Sequence, residues 1–185
     1  MRNSLRSTLH RLGVEVRGAE IAEAAAVLPL MFMMLLGIFW FGQAFSIYGA
    51  ITRAAQEGAR AGAAPYCTTC DKNALANYAL NAVNATQAAL IASKLDPTQA
   101  RYPLPNPDLY DCLSTLTKKQ CSAGGSSNLC VQAPVVLATI TSGSPGVCGI
   151  SVSFQYPFQF WLPFTSLNKQ RIWMTASARV RMETP

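Results

Sequence analysis

Charge is what this chain has least of. Only 13% of its 185 residues are charged, against about 25% in an ordinary soluble domain, and none at all lies between Glu23 and Arg53. Histidine is almost missing. The single His10 stands near the N-terminus, so no Ser–His or Cys–His pair can form in the remainder of the chain. Acids number 9, and those beyond residue 50 are scattered: Glu57, Asp71, Asp96, Asp108, Asp111 and Glu183. Asp108 and Asp111 are close enough to act as paired carboxylates, but a Pro-rich loop more commonly uses such residues to close turns. These scarcities speak against an enzyme, and no cofactor is expected. Fifteen Lys plus Arg give a net charge of +6, yet no dense basic and aromatic patch accompanies it, which argues against a nucleic-acid partner. The 50% hydrophobic content argues against disorder.

The charge-free stretch is itself the strongest signal. Ala24 to Gly42 is almost wholly apolar, and about 20 helical residues cross a hydrocarbon core roughly 30 Å thick. A transmembrane part over about 24–45 is expected. Burying so long an all-round apolar helix in a soluble core would take a much larger protein. Arg2, Arg6, Arg11 and Arg17 stand against Glu15 ahead of the span, so the N-terminus is expected in the cytoplasm and the chain from about residue 50 outside it. A secretory signal peptide fits less well, because its apolar core runs to only about 7–15 residues. Half of the net charge, 4 − 1 = +3, belongs to this N-terminal arm; the rest, 11 − 8 = +3, is spread over the remaining chain.

All six cysteines, Cys67, Cys70, Cys112, Cys121, Cys130 and Cys148, follow the span. An even count confined to an exported part reads as disulfides in an oxidising compartment. Their pairing is open. Cys67-Thr-Thr-Cys70 lacks the βαβ setting of a redox motif, and the even nine-residue spacing of Cys112, Cys121 and Cys130 is not that of a zinc site. No metal is expected.

The helix is expected to continue past the membrane to about Gly62, with Arg53, Glu57 and Arg60 sharing one face, giving one helix over 19–62. Residues 63–185 then form an exported, disulfide-stapled domain. Residues 73–95 carry a broad helical stripe, with Leu75, Tyr78, Ala82, Ala85 and Ala89 along one face and Leu80, Val83 and Leu90 beside it. Residues 96–132, rich in Pro, Asn, Ser, Gly and Cys, read as a loop. The final third switches to a period of two. Strands are expected over 134–141, with Pro134 at the start, and, half-buried by their alternation, over 147–157 and 170–182. The fold class is therefore α+β: a long transmembrane helix, a second helix, and an antiparallel sheet of about three strands. Arg171, Trp173, Thr175, Ser177, Arg179 and Arg181 fall on the outward side of the last strand. That basic row suits a solvated face that discourages edge aggregation, or contact with a partner or an anionic lipid.

Arg17-Gly18-Ala19-Glu20-Ile21-Ala22-Glu23, followed at once by the apolar helix, resembles the cleavage region of prepilins and pseudopilins. In that class a basic leader is removed after Gly, and a Glu occupies the fifth mature position. The resemblance extends to the TadE family of minor pseudopilins of tight-adherence (Flp-type) pili. It rests on Glu23-Ala-Ala-Ala-Val-Leu-Pro29, Gly37-Ile-Phe-Trp-Phe-Gly42 and Ala54-Ala-Gln-Glu-Gly-Ala-Arg60, with similar closing strands at Val152–Tyr156 and Thr175–Glu183. Ala19 and Ala24 depart from the Phe and the aromatic residue common at those places.

The resemblance implies a leader 1–18 cut between Gly18 and Ala19, and a pseudopilin-like fold. It also implies Glu23 as a subunit-docking carboxylate, although a carboxylate merely lying at the headgroup boundary is the plainer alternative. The implied partners are a prepilin peptidase, other pilins and pseudopilins, the inner-membrane pilus assembly platform and membrane lipid. A membrane-anchored exported adhesin or binding module, with the cysteine-stapled region as its contact surface, is the competing function; an exported enzyme is a more distant one.

Overall fold

The computed structural model describes residues 2–64, 77–112, 117–121, 128–137, 147–159 and 171–182, with side chains described from residue 18 and, in the second stretch, from residue 78. In chain order the elements are α1 (Arg2–Ala63), α2 (Asn77–Ala92), a short 3-10 turn (Pro97–Gln99), β1 (Cys130–Val136), β2 (Cys148–Gln159) and β3 (Arg171–Arg181). The architecture is α+β, with a three-stranded antiparallel sheet ordered β1-β2-β3. The chain divides into two compact units, Met1–Ala44 and Phe45–Pro185, and α1 contributes to both.

α1 starts at Arg2, well before Ala19, and runs through Pro29. No other proline precedes Pro29, and the Leu, Arg, Met and Glu residues among the first 17 are good helix formers. Within the second unit, the end of α1 supplies Ile51, Ala54, Ala55 and Ala59 to a core shared with Ala79, Ala82, Val83 and Leu90 of α2 and with the sheet residues Val131, Ile150, Val152, Phe154, Ala176 and Ala178. The buried stripe of α2 is centred on Ala79, Ala82, Val83, Thr86 and Leu90, and Leu80, expected beside it, is 45% exposed. Leu75 lies outside the described residues. α2 closes with Lys94 in the left-handed region (φ 59) and Leu95 N–H donating to the Leu90 carbonyl at 2.9 Å, a backbone closure typical of helix C-termini.

The sequence reading needs two corrections in the sheet. The first strand begins at Cys130, inside the segment expected to be loop, and Pro134 sits within the strand instead of at its start. The ladder tolerates it through a bulge: pairing passes from Gln132↔Ser151 to Val135↔Gly149, so Ala133 and Pro134 together oppose Ile150. A residue without an N–H does no harm where the ladder is already interrupted. The Ala133 carbonyl accepts from the Tyr78 hydroxyl at 3.0 Å, so α2 satisfies a group at the bulge. Residues 138–141 of the expected strand lie outside the described residues.

The second correction concerns β2, which is not half-buried. Ser151, Ser153 and Gln155, expected to face solvent, are 1%, 1% and 6% exposed. A strap formed by residues 101–111 covers that face. Arg101 exchanges backbone hydrogen bonds with Gln155 at 2.9 and 2.8 Å. The Gln155 amide donates to the Leu104 carbonyl at 3.2 Å and the Thr175 hydroxyl at 3.1 Å, while its oxygen accepts from Arg101 Nε at 3.0 Å. The Arg101 guanidinium lies 3.3 Å from the Trp173 ring centroid, an attractive cation–π geometry. Further along, the Gln132 amide donates to the Pro107 and Lys119 carbonyls at 3.1 and 2.7 Å. Two buried glutamines therefore pin the strap to the sheet. Gln155→Leu leaves the Leu104 carbonyl without its donor and frees the strap; the expected loss is about 1–3 kcal/mol, read by urea titration, with new protease cuts between residues 101 and 110.

Candidate functional site

Every residue from Gly18 to Leu36 is exposed. Among them are Leu28, Met31, Phe32, Met33 and Leu35, each more than half exposed. Side chains so large and apolar, pointing in all directions around one helix, call for an apolar environment around it. The helix Gly18–Ala63 is long and apolar enough to cross a membrane, and the charge-free part, residues 24–52, extends about 43 Å at 1.5 Å per residue, ample for a core roughly 30 Å thick. One N-terminal apolar helix of this kind fits a single-pass membrane anchor.

The residues singled out by sequence stand at the start of this anchor. Gly18, Ala19, Glu20 and Glu23 are all exposed positions of α1, and a side chain built at Gly18 would meet nothing within 4 Å. Ala19 and Glu23 are one helical turn apart, the spacing at which side groups on a helix meet. The Glu23 carboxylate makes no ion pair among the described residues.

Residues 18–60 match the model of the TadE-like protein family. This segment is TadE-like. The match is consistent with a TadE-family protein of the Tad/Flp pilus system and suggests a role in Tad pilus assembly. No curated protein and no solved structure shows significant similarity to the chain.

The TadE-like segment begins at Gly18 and ends at Arg60, so it includes Ala54-Ala-Gln-Glu-Gly-Ala-Arg60. The fold gives that string a physical meaning. Ala54, Ala55 and Ala59 are fully buried, and a Cβ on Gly58 would overlap Thr86 Oγ1 and lie 2.9 Å from the Ala82 carbonyl. A Cβ on Gly62 would lie 2.5 Å from Ile150 Cδ1 and 3.1 Å from the Tyr78 carbonyl. The small residues form the seam through which α1 reaches α2 and the sheet. Glu57 and Arg60 face outward, 3.7 Å apart and at least half exposed, a pairing that adds a few tenths of a kcal/mol at most.

Among the described cysteines, Cys112 bonds Cys148 and Cys121 bonds Cys130; Cys67 and Cys70 lie outside the described residues. These two bonds anchor a small flap. Its backbone folds on itself through Asp111 N–H to the Thr117 carbonyl and Lys119 N–H to the Leu109 carbonyl, and it joins β1 through Val136 N–H to the Tyr110 carbonyl and Cys112 N–H to the Pro134 carbonyl. Asp108 and Asp111, the two neighbouring acids of this region, both meet basic side chains. Each is held by a lysine, Lys118 and Lys119, at 3.0 Å. The Asp108 carboxylate, first by hydrogen bonding and then by its charge, raises the Lys118 pKa. Among the described residues no group of three His, Cys, Asp or Glu is placed to hold a metal. The strap, the flap and their glutamine pins escaped sequence reading, since Gln132 and Gln155 looked like the polar half of an alternating pattern.

Asp96 caps the 3-10 turn. Its carboxylate accepts from the Thr98 hydroxyl at 2.7 Å and the Thr98 N–H at 2.9 Å, which lowers its pKa. The Asp96 N–H in turn donates to the Tyr156 hydroxyl at 3.1 Å. Burial raises the Tyr156 pKa above 10.0. The folded state thus holds the phenolic proton more tightly than the unfolded chain, so its contribution is complete below pH 10 and is lost as pH rises through the folded value. A denaturation series from pH 8 to 11.5 should show stability falling above pH 10, and Tyr156→Phe should flatten that decline.

Proposed function

We propose that this protein is a noncatalytic, single-pass pseudopilin that acts in assembly of Flp/Tad-type pili in a bacterial inner membrane. It is made with a cytoplasmic leader that a prepilin peptidase removes between Gly18 and Ala19, its C-terminal unit lies in the periplasm, Glu23 docks it to neighbouring pilins or pseudopilins, and the inner-membrane assembly platform is a further partner. The observation that carries this reading is the coincidence of the TadE-like match, residues 18–60, with the apolar helix and its small-residue seam. Electrostatics supports the processing step. Cutting after Gly18 discards Arg2, Arg6, Arg11 and Arg17 and creates an α-amine one helical turn from Glu23. Pairing the carboxylate with such an amine, its own or a neighbour's, offsets the desolvation of both charges at the edge of hydrocarbon. A neighbour's amine would also set the register between subunits.

Co-expression with and without a prepilin peptidase, followed by mass spectrometry of the N-terminus, tests the reading. An Ala19 start that depends on the peptidase is expected; an intact Met1 start, or a cut near residue 45, would sink it. Glu23→Ala should be processed normally yet fail to enter the assembly, scored by pilus yield. Normal pili from that variant would remove Glu23 from the docking role.

A further inference from the structure

The two edges of the sheet are treated differently. The β1 edge is covered by the flap, held there by backbone hydrogen bonds from residues 110–112 and by the Cys112–Cys148 bond, while Arg101 continues the lane of β1 beside Gln155. β3 is the opposite edge. It pairs with β2 without interruption from Gly149↔Arg181 to Gln159↔Arg171, contains neither proline nor bulge, and makes no backbone hydrogen bond on its outer side among the described residues. Every second residue of such a strand directs its N–H and C=O outward. An eleven-residue regular edge is a ready template for another strand.

The side chains decide which strand. Arg171, Arg179 and Arg181 are exposed on one face of β3 and make no ion pair among the described residues. A second copy pairing antiparallel about Ala176 would set Arg171 opposite Arg181, and opposed like charges disfavour that register. Arg179 and Arg181 stand about 7 Å apart on the same face, a spacing matched by two acids at alternate positions of a partner strand. This chain cannot supply such a strand. Its acids, at 15, 20, 23, 57, 71, 96, 108, 111 and 183, are nowhere two residues apart.

We propose that the outer edge of β3 is a docking edge for an extended segment of a different protein bearing acids at alternate positions, which adds to the sheet as a fourth strand. Main-chain hydrogen bonds supply the attachment, and the arginines select an acidic partner.

The test uses the full-length protein in detergent micelles and a nonapeptide alternating Glu with Val and Thr. A counterpart with Lys in place of Glu, and a version N-methylated at alternate residues, serve as controls. The Glu peptide is expected to bind, to slow amide exchange across residues 172–180 at least tenfold, and to outcompete both controls by more than tenfold. Arg179→Glu with Arg181→Glu, exposed positions whose exchange should not disturb the fold, is expected to reverse the preference toward the Lys peptide. Failure of the Glu peptide to bind, binding without slowed exchange in β3, or equal binding by the N-methylated version would overturn the proposal. So would protection of the same amides by phosphatidylserine vesicles without peptide, which would make the row a lipid contact.

Discussion

Replacing Gly58 with leucine should disrupt the second unit outright. The site lies in a helix, where Gly→Ala normally gains about 0.5–1 kcal/mol from the reduced entropy of the unfolded chain and better helix propensity. Here the packing term opposes and exceeds that gain. A Cβ at Gly58 meets Thr86 Oγ1, a short side chain already committed to the Ala82 carbonyl at 2.7 Å, and that carbonyl itself is backbone. Neither can retreat without moving α2. Overpacking costs about 1–3 kcal/mol for modest additions, so Gly58→Ala should be a net loss and Gly58→Leu should lose more than about 3 kcal/mol, a large share of a typical total of roughly 5–15. Gly49 provides the contrast. It is in the same helix with nothing within 4 Å, and Gly49→Ala should be neutral or stabilising. Denaturant titration of the full chain in micelles measures all three. Adding Thr86→Ala to Gly58→Ala should recover part of the loss; if it recovers none, the seam is not where the cost arises.

The second large effect is expected at Cys112–Cys148. Its sequence separation is 36, against 9 for Cys121–Cys130. In the chain-entropy description these loops correspond to about 3.8 and 2.6 kcal/mol respectively, so removing the longer link should do more damage. Cys112→Ala with Cys148→Ala should lower Tm by roughly 8–15 °C, at about 2–4 °C per kcal/mol for a chain of this size. The location of the damage is as informative as its extent. Cys112 ends the segment bonded to Pro134 and Val136, so its release should loosen the flap, admit protease between residues 109 and 119, and uncover the β1 edge to aggregation. Calorimetry with peptide mapping reads both. Cys121→Ala with Cys130→Ala should give the smaller shift and leave the bonds to Val136 in place.

Much of this architecture was readable without coordinates because the signals are local. A charge-free apolar run needs only its own composition to be an anchor. The alternation in Ile150–Tyr156 and Ile172–Met182 needs only the period of a strand to place one face inward, and Phe154, Val152 and Ala178 are buried accordingly. The limits of that logic are equally specific. Alternation indicates that the two faces of a strand differ, not that the polar one is wet; Gln155 is polar because it binds a strap more than 50 residues earlier in the chain. Pro134 looked like a strand's beginning because a ladder has no use for it, yet a bulge with its carbonyl taken by Tyr78 lets the strand pass through. Glycine in Gln56-Glu57-Gly58 could be seen in sequence, but the reason for it is Thr86.

By itself, then, the sequence determined the anchor, the expected direction of insertion and the class of fold, since hydropathy, charge and period are properties of neighbouring residues. Only the tertiary structure decided how the described cysteines join, what covers the polar face of β2, why the end of the TadE-like segment is built from Ala and Gly, and which sheet edge has no strand beside it among the described residues. Each of those depends on residues distant in the chain meeting at van der Waals or hydrogen-bond range, and such meetings leave no periodic trace in either partner.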